Sequence, residues 1–145
     1  MEAKRYLPLV DKLFYIIAIP TLILLVGASV LACFEPASLF IVIPVDLSCA
    51  YFLISPLFGF VELRSDTVFI KFGFFMKKEI PYSKIRKIDK ARRIYSDSMI
   101  SLKNSMVHIN IRYNTFDLVS VSVRDNDAFV SELEERIARQ KQITP

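Results

Sequence analysis

The sequence predicts an α+β membrane protein, in which a transmembrane helical hairpin over residues 1–61 precedes a small antiparallel β-barrel over residues 62–145, capped by a C-terminal helix. Three observations predict this fold class. Two long apolar runs lie near the N-terminus, short alternating runs follow Val61, and a helical period begins after Arg124. A chain of 145 residues has room for about one domain.

The hairpin is predicted from two apolar runs, as helices over about 13–34 and 39–61. The first run carries no charge, and the second carries only Asp46. Each matches the roughly 20 apolar residues that cross a hydrocarbon core of about 30 Å. A cleaved signal peptide is the alternative for the first run, but its apolar core would span only about 7 to 15 residues. A hairpin explains both runs at once.

The orientation of the hairpin follows from the basic residues beside it. The turn at residues 35–38 has none, whereas both outer flanks carry several. The positive-inside rule then places both termini in the cytoplasm, with the β domain on the same side. The flanking residues are Lys4, Arg5 and Lys12 before the first run, and Arg64, Lys71, Lys77 and Lys78 after the second.

Asp46 is the charged residue of the apolar runs, and an ionised carboxylate in a membrane is costly and usually faces a partner. Ser29 lies at a matching depth in the first helix by helical rise. Small residues at Ala28 and Ala32 would let the two backbones approach closely. We expect Asp46 to hydrogen bond toward Ser29 or a backbone group, and a ligand or proton site is the alternative.

The two cysteines, Cys33 and Cys49, lie within the apolar runs at different depths. We therefore expect small packing residues rather than a disulfide framework.

The β domain is predicted from period-two alternation between turn signals. Ile85 and Ile88 break that period, so a helical turn or bulge should precede the fourth strand, and residues 94–102 should form a polar loop or bent edge strand. Strands are predicted over 61–64, 67–72, 76–80, about 86–93, 107–113 and 116–123.

A C-terminal helix is predicted after Arg124, where Phe129, Leu133 and Ile137 form an apolar stripe. Asp125 or Asn126 supplies an oxygen to cap its first N–H groups.

The order of these elements, and several short segments, resembles the bacterial pleckstrin-homology-like (PH-like) domains of the YyaB-like group. The segments are Phe69–Phe75, the Ile80–Ile85 element, the run from Ser98 to Lys103, and the helix start at Phe129–Leu133. The resemblance implies a PH-like barrel on a membrane anchor of a bacterial cell, without a set of catalytic residues. A similar protein, the sublancin immunity protein, protects a bacterium from its own bacteriocin, so immunity is an alternative function.

A basic segment between residues 77 and 93 has a local net charge of +6, whereas the whole chain carries only +4. A solvated strand face is one interpretation. On a tethered domain, the other is a surface for anionic lipid of the inner leaflet. The basic residues are Lys77, Lys78, Lys84, Arg86, Lys87, Lys90, Arg92 and Arg93.

Catalytic chemistry is not predicted. His108 is the single histidine, and we expect it on the polar face of a strand, solvated or paired across strands. The three glycines are scattered, so no phosphate-cradling loop is indicated. No metal, cofactor or nucleic-acid partner is expected. The sequence therefore predicts a non-catalytic module at the inner membrane that binds a membrane protein, a peptide or anionic lipid.

Overall fold

The computed structural model describes residues 2–93, 101–102 and 105–143. Within these ranges the chain forms three α-helices and eight strands. The helices are α1 (Lys12–Ala32), α2 (Pro36–Ile54) and α3 (Asn126–Ile143). The strands are β1 (Lys4–Tyr6), β2 (Phe60–Leu63), β3 (Thr67–Phe72), β4 (Met76–Pro81), β5 (Ile85–Arg92), β6 (Ser101–Leu102), β7 (Val107–Tyr113) and β8 (Asp117–Val121).

The two apolar helices begin at identifiable signals. The Asp11 carboxylate caps α1 by accepting the Leu13 N–H at 2.9 Å, and Pro36 occupies the first turn of α2, where its missing N–H costs nothing. The predicted end of the second helix is wrong. Helix α2 ends at Ile54, a 3₁₀ turn covers Ser55–Phe58, and β2 begins at Phe60. The sequence did not indicate this change because Phe60 and Val61, at the start of β2, continue the apolar run.

The first sheet has the order β1-β2-β3-β4, with every neighbouring pair antiparallel. Strand β1 was not predicted. It pairs Lys4 with Leu63 and Tyr6 with Val61, so the helical hairpin is inserted between two adjacent strands of one sheet. Three residues, two of them charged, give no detectable alternation, and only the partner strand makes this segment extended.

The second sheet has the order β5-β7-β8-β6. Strand β6 runs parallel to β8, which corrects the prediction of a wholly antiparallel barrel. The predicted irregularity before the fourth strand is confirmed: a 3₁₀ turn covers Tyr82–Lys84, and the register shifts between Ile85 and Lys87. Of the predicted loop or edge strand at 94–102, residues 94–100 lie outside the described residues.

The two sheets are joined where the chain after β1 runs beside the chain after β8. The Leu9 N–H donates to the Ser122 carbonyl at 2.9 Å, and the Arg124 N–H donates to the Leu7 carbonyl at 3.1 Å. The sheets enclose one apolar core, in which Val61, Ile70 and Ile111 are fully buried.

Helix α3 closes the core with Phe129 and Leu133, both fully buried. Asp125 caps it by accepting the Ala128 N–H at 2.9 Å, as one of the two predicted caps. The Phe129 ring meets Tyr6 edge-on, with a centroid distance of 5.2 Å. The helix therefore holds β1 in place from the core side.

Of the two alternatives predicted for His108, a solvated side chain is wrong, because the side chain is fully buried. On the same side of the sheet, Asn110 and Ser120 are also buried, and the Ser120 hydroxyl donates to Asn110 Oδ1 at 2.6 Å. Polar groups that satisfy one another can be buried at little cost. Strand β7 is therefore largely covered on both faces. Its alternation of apolar and polar residues predicts instead that the polar face is exposed.

Candidate functional site

The apolar helices α1 and α2 are almost unburied by the rest of the protein. Ala32 is the buried residue of α1, and α2 has none among its residues. Leu24 is 72% exposed and Phe40 86% exposed. Both helices are long and apolar enough to cross a membrane, by length and composition. Soluble proteins rarely expose such continuous apolar surface.

A polar contact joins the two helices at the position where the sequence analysis expected one. The Ser29 hydroxyl donates a hydrogen bond to Asp46 Oδ2. A carboxylate in an apolar environment needs such a donor. Within the described chain, Ser29 is the side-chain donor that α1 contributes to Asp46. This contact does not test a ligand or proton role for Asp46, which stays a prediction.

The N-terminal end of α1 is fixed to the second sheet by Asp11. Besides Leu13, its carboxylate accepts the Met106 N–H at 3.2 Å. Burial alone would raise the pKa of Asp11, but hydrogen bonds from the Ser105 hydroxyl and from these N–H groups hold the pKa below its ordinary value. Asp11 is therefore ionised at neutral pH, and it links the helix start to the start of β7.

The C-terminal end of α2 is fixed to the first sheet through the β3–β4 turn. Tyr51 stacks on Phe75 with a centroid distance of 5.9 Å, and Phe58 lies 4.8 Å from Phe74. Gly73 in this turn has φ +66°, and a Cβ there would lie 1.5 Å from Ser55 Oγ. This junction was not predicted, although the two adjacent phenylalanines at a predicted turn, Phe74 and Phe75, were a possible signal.

The eight basic residues proposed as a surface do not lie on one face. Lys77 and Lys78 are on β4, Lys84 is in the 3₁₀ turn, and the others follow along β5 and just after it. In β5, Lys87 is opposite Arg112, whereas Lys90 is opposite Ile109, so the two point to different sides of the sheet. Alternation along a strand divides a contiguous basic segment in this way.

Acidic partners reduce the charge of part of this segment. Lys87 Nζ lies 2.8 Å from Asp89, and Lys90 Nζ lies 2.6 Å from Asp127 at the start of α3. Lys78 lies over the Tyr113 ring, with Nζ 4.9 Å from the centroid. Such exposed pairs contribute little to stability, but they partly neutralise the lysine charges that a ligand would otherwise meet.

The basic residues also divide by their distance from the helical hairpin. The Arg93 N–H donates to the Met106 carbonyl at 3.0 Å, and the Met106 N–H in turn donates to Asp11, so Arg92 and Arg93 lie near the N-terminal end of α1. At the other end of β5, the Asn114 N–H donates to the Lys84 carbonyl at 3.1 Å. The seven steps from Ile85 to Arg92 span about 23 Å at the usual rise.

Remote from the hairpin, Arg86 and Lys87 line a shallow groove between β5 and α3, together with Glu134 and Ile137. Within the described ranges, no three His, Cys, Asp or Glu side chains come together as metal ligands would. The geometry therefore offers surfaces and a groove for binding.

The two sheets and the closing C-terminal helix are the layers of a PH-like fold, and the family model described as "Bacterial PH domain" matches residues 62–137. This chain belongs to the bacterial PH domain family. The match begins within β2 and ends within α3, whereas β1 and both apolar helices precede it. Neither a curated protein nor a solved structure matches the chain significantly. PH-like domains are generally non-catalytic interaction modules, and the YyaB-like subgroup stays a prediction.

Proposed function

We propose that this protein is a membrane-anchored interaction module, in which α1 and α2 span the inner membrane of a bacterial cell and the PH domain lies at its cytoplasmic leaflet. There it binds anionic lipid, a membrane protein or a peptide. The observation that carries the proposal is the exposure of both apolar helices. Water is a poor solvent for them, and the folded domain does not cover them.

The hairpin holds the PH domain at two places, which favours a fixed position near the lipid over a loose tether. Five residues separate the end of β1 at Tyr6 from the start of α1 at Lys12, and β2 begins soon after α2. Because β1 and β2 are antiparallel neighbours, the end of β1 and the start of β2 lie at the same end of the sheet, and both helices are connected to the domain there. A rigid double connection limits the directions in which the domain can face.

Basic residues near the hairpin would attract anionic headgroups, at about 1 kcal/mol for each residue close to the surface. Arg92 and Arg93 are near the start of α1, whereas Lys84 and Arg86 are at the opposite end of β5. The structure thus favours part of the basic segment as a lipid surface. The remote part, with the groove beside α3, is available to a protein or peptide.

Membrane topology tests the anchor directly, because the native cysteines lie only in the hairpin. Cys33 is exposed at its turn and Cys49 lies within α2. In intact spheroplasts, a membrane-impermeant maleimide should label the native protein but not a Cys33→Ser variant. In a background lacking both cysteines, Thr115→Cys, in the β7–β8 turn, should be labelled only after permeabilisation. Labelling of Thr115→Cys in intact spheroplasts, or release of the protein by alkaline carbonate, would disprove the proposed anchor.

Lipid binding is tested on the full-length protein in detergent by counting retained anionic lipids in native mass spectrometry. Reversing the charge of Arg92 and Arg93 to glutamate should lower retention. The matched reversal of Lys84 and Arg86 should leave it nearly unchanged. Equal loss from both pairs would contradict a lipid surface beside the hairpin, and no loss from either would exclude these residues. Bacteriocin immunity stays a prediction from resemblance.

A further inference from the structure

We propose that the β3–β4 turn and the first residue of β4, residues 73–76, insert their large apolar side chains into the lipid–water interface and so fix the orientation of the PH domain on the bilayer. We refer to residues 73–76 as the aromatic tip. This inference rests on the proposed function, because it requires α2 to lie in a membrane. It adds a second membrane contact that belongs to the β domain itself.

The aromatic tip lies at the level of the last turn of α2. Its Phe75 ring stacks on Tyr51 at an interplanar angle of 26°, and Phe74 lies 6.1 Å from the same ring, centroid to centroid. Tyr51 precedes Ile54, the last residue of α2, by three residues, or about 4.5 Å along the axis at the helical rise. The tip is therefore beside the part of a spanning helix that passes through the interfacial layer.

The tip remains largely uncovered despite these contacts. Phe75 is 83% exposed, and Phe74 and Met76 are each 45% exposed. Three consecutive large apolar side chains at a hairpin turn are unfavourable in water. In the interfacial layer of a bilayer their apolar surface is removed from water, and rings of this kind are enriched there. Because the tip contacts Tyr51 of α2, lipid that surrounds α2 would also surround these side chains.

A pair of lysines next to the tip supports lipid rather than protein as the partner. Lys71 and Lys77 are direct cross-strand neighbours in β3 and β4, so their side chains share one face. Like charges in this arrangement repel each other. Within the described chain, no acidic side chain lies at ion-pair distance from either ammonium group; Glu79, two residues along β4, attracts Lys77 from farther away, and Lys71 Nζ lies 5.9 Å from the centroid of the Phe60 ring. Anionic headgroups beside an inserted apolar tip would neutralise both.

The backbone fixes the depth of the tip relative to α2. Gly73 takes a left-handed conformation with φ +66°, and a Cβ would lie 2.7 Å from Ser55 Cβ as well as overlapping Ser55 Oγ. Close approach of the turn to the chain after α2 is thus built into the fold. The tip cannot move outward from the helix end without breaking the Tyr51 and Phe58 ring contacts.

Tryptophan fluorescence tests this insertion, because the native protein contains no tryptophan. Three single-tryptophan variants are compared in proteoliposomes with and without brominated lipids. Phe75→Trp reports on the tip. Phe116→Trp is the matched control, since Phe116 is 95% exposed at the β7–β8 turn, beside the end of β5 remote from the hairpin. Leu24→Trp reports on the anchor from the middle of α1.

The proposal predicts that the tryptophan of Phe75→Trp emits at a shorter wavelength than that of Phe116→Trp. Lipids brominated near the headgroup should quench it more strongly than lipids brominated deep in the acyl chain. Phe116→Trp should be quenched by aqueous iodide instead. If Leu24→Trp is quenched by lipid while Phe75→Trp behaves like Phe116→Trp, the tip does not insert and the anchor stands. If Leu24→Trp is also unquenched by lipid, the anchor itself is refuted.

Discussion

Replacing Gly73 with alanine should strongly destabilise the junction between the PH domain and α2. The substitution adds one methyl group to the β3–β4 turn. That group meets two unfavourable conditions at once: a backbone φ of +66°, and a position 1.5 Å from Ser55 Oγ. Ser55 is itself buried, with 9% exposure, so its side chain has little room to turn away.

The magnitude is the sum of two contributions. A non-glycine residue in the left-handed region costs about 1–2 kcal/mol. Forcing an additional carbon into a packed site costs about 1–3 kcal/mol. We therefore expect Gly73→Ala to lower the free energy of unfolding of the PH domain by about 2–5 kcal/mol.

Pulse proteolysis across a urea series, on the detergent-solubilised full-length protein, measures this free energy. Gly27→Ala is the matched control. Gly27 lies within α1, and a Cβ there meets nothing within 4 Å, so the midpoint should change little or rise. A double-mutant cycle with Ser55→Gly separates the two contributions, because Ser55→Gly removes the clash and leaves the strain at φ.

A Gly73→Ala protein with the urea midpoint of the native protein would refute the close approach of the turn to Ser55. Equal losses from Gly73→Ala with and without Ser55→Gly would show that only the backbone conformation matters.

Three further changes test the remaining contacts. Asp125→Ala removes the cap of α3 and should lower the free energy of unfolding by about 1 kcal/mol, measured by the same proteolysis assay. Lys4 is the main cause that holds the pKa of Glu132 below its ordinary value of 4.5, so this stabilisation is present above that pH and is lost as the pH falls. Glu132→Gln should therefore destabilise the protein at neutral pH and flatten the acid side of its stability profile; an unchanged profile would contradict this. Ser29→Ala removes the donor to Asp46 and should weaken helix pairing by about 0.6 kcal/mol, measured by thermal unfolding of the hairpin in micelles.

Local pattern predicted most of the β domain. Strand β3 alternates cleanly, with Val68, Ile70 and Phe72 buried, because one face meets the core and the other meets water. The stripe of α3 was found for the same reason at a helical period. In each case the sequence signal and the environment coincide within a few residues.

Features that depend on distant partners were missed. Strand β1 is extended because β2 pairs with it, more than fifty residues later, and Lys4 and Arg5 give no hint of that pairing. His108 was misplaced because what covers the polar face of a strand is a tertiary property. The basic residues were counted as one surface because charge along a segment does not record the strand direction or the ion pairs that divide it.

Because the helical hairpin lies between β1 and β2, the proposed membrane anchor would tie the assembly of the sheet to the insertion of the protein into lipid. The first strand leaves the ribosome before its neighbour exists, and in a spanning hairpin it could pair only once the chain had crossed the bilayer and returned. A chain that crossed only once would leave the two strands on opposite sides of the bilayer. Completion of the sheet would therefore report, within the cell, that the hairpin had inserted the right way round.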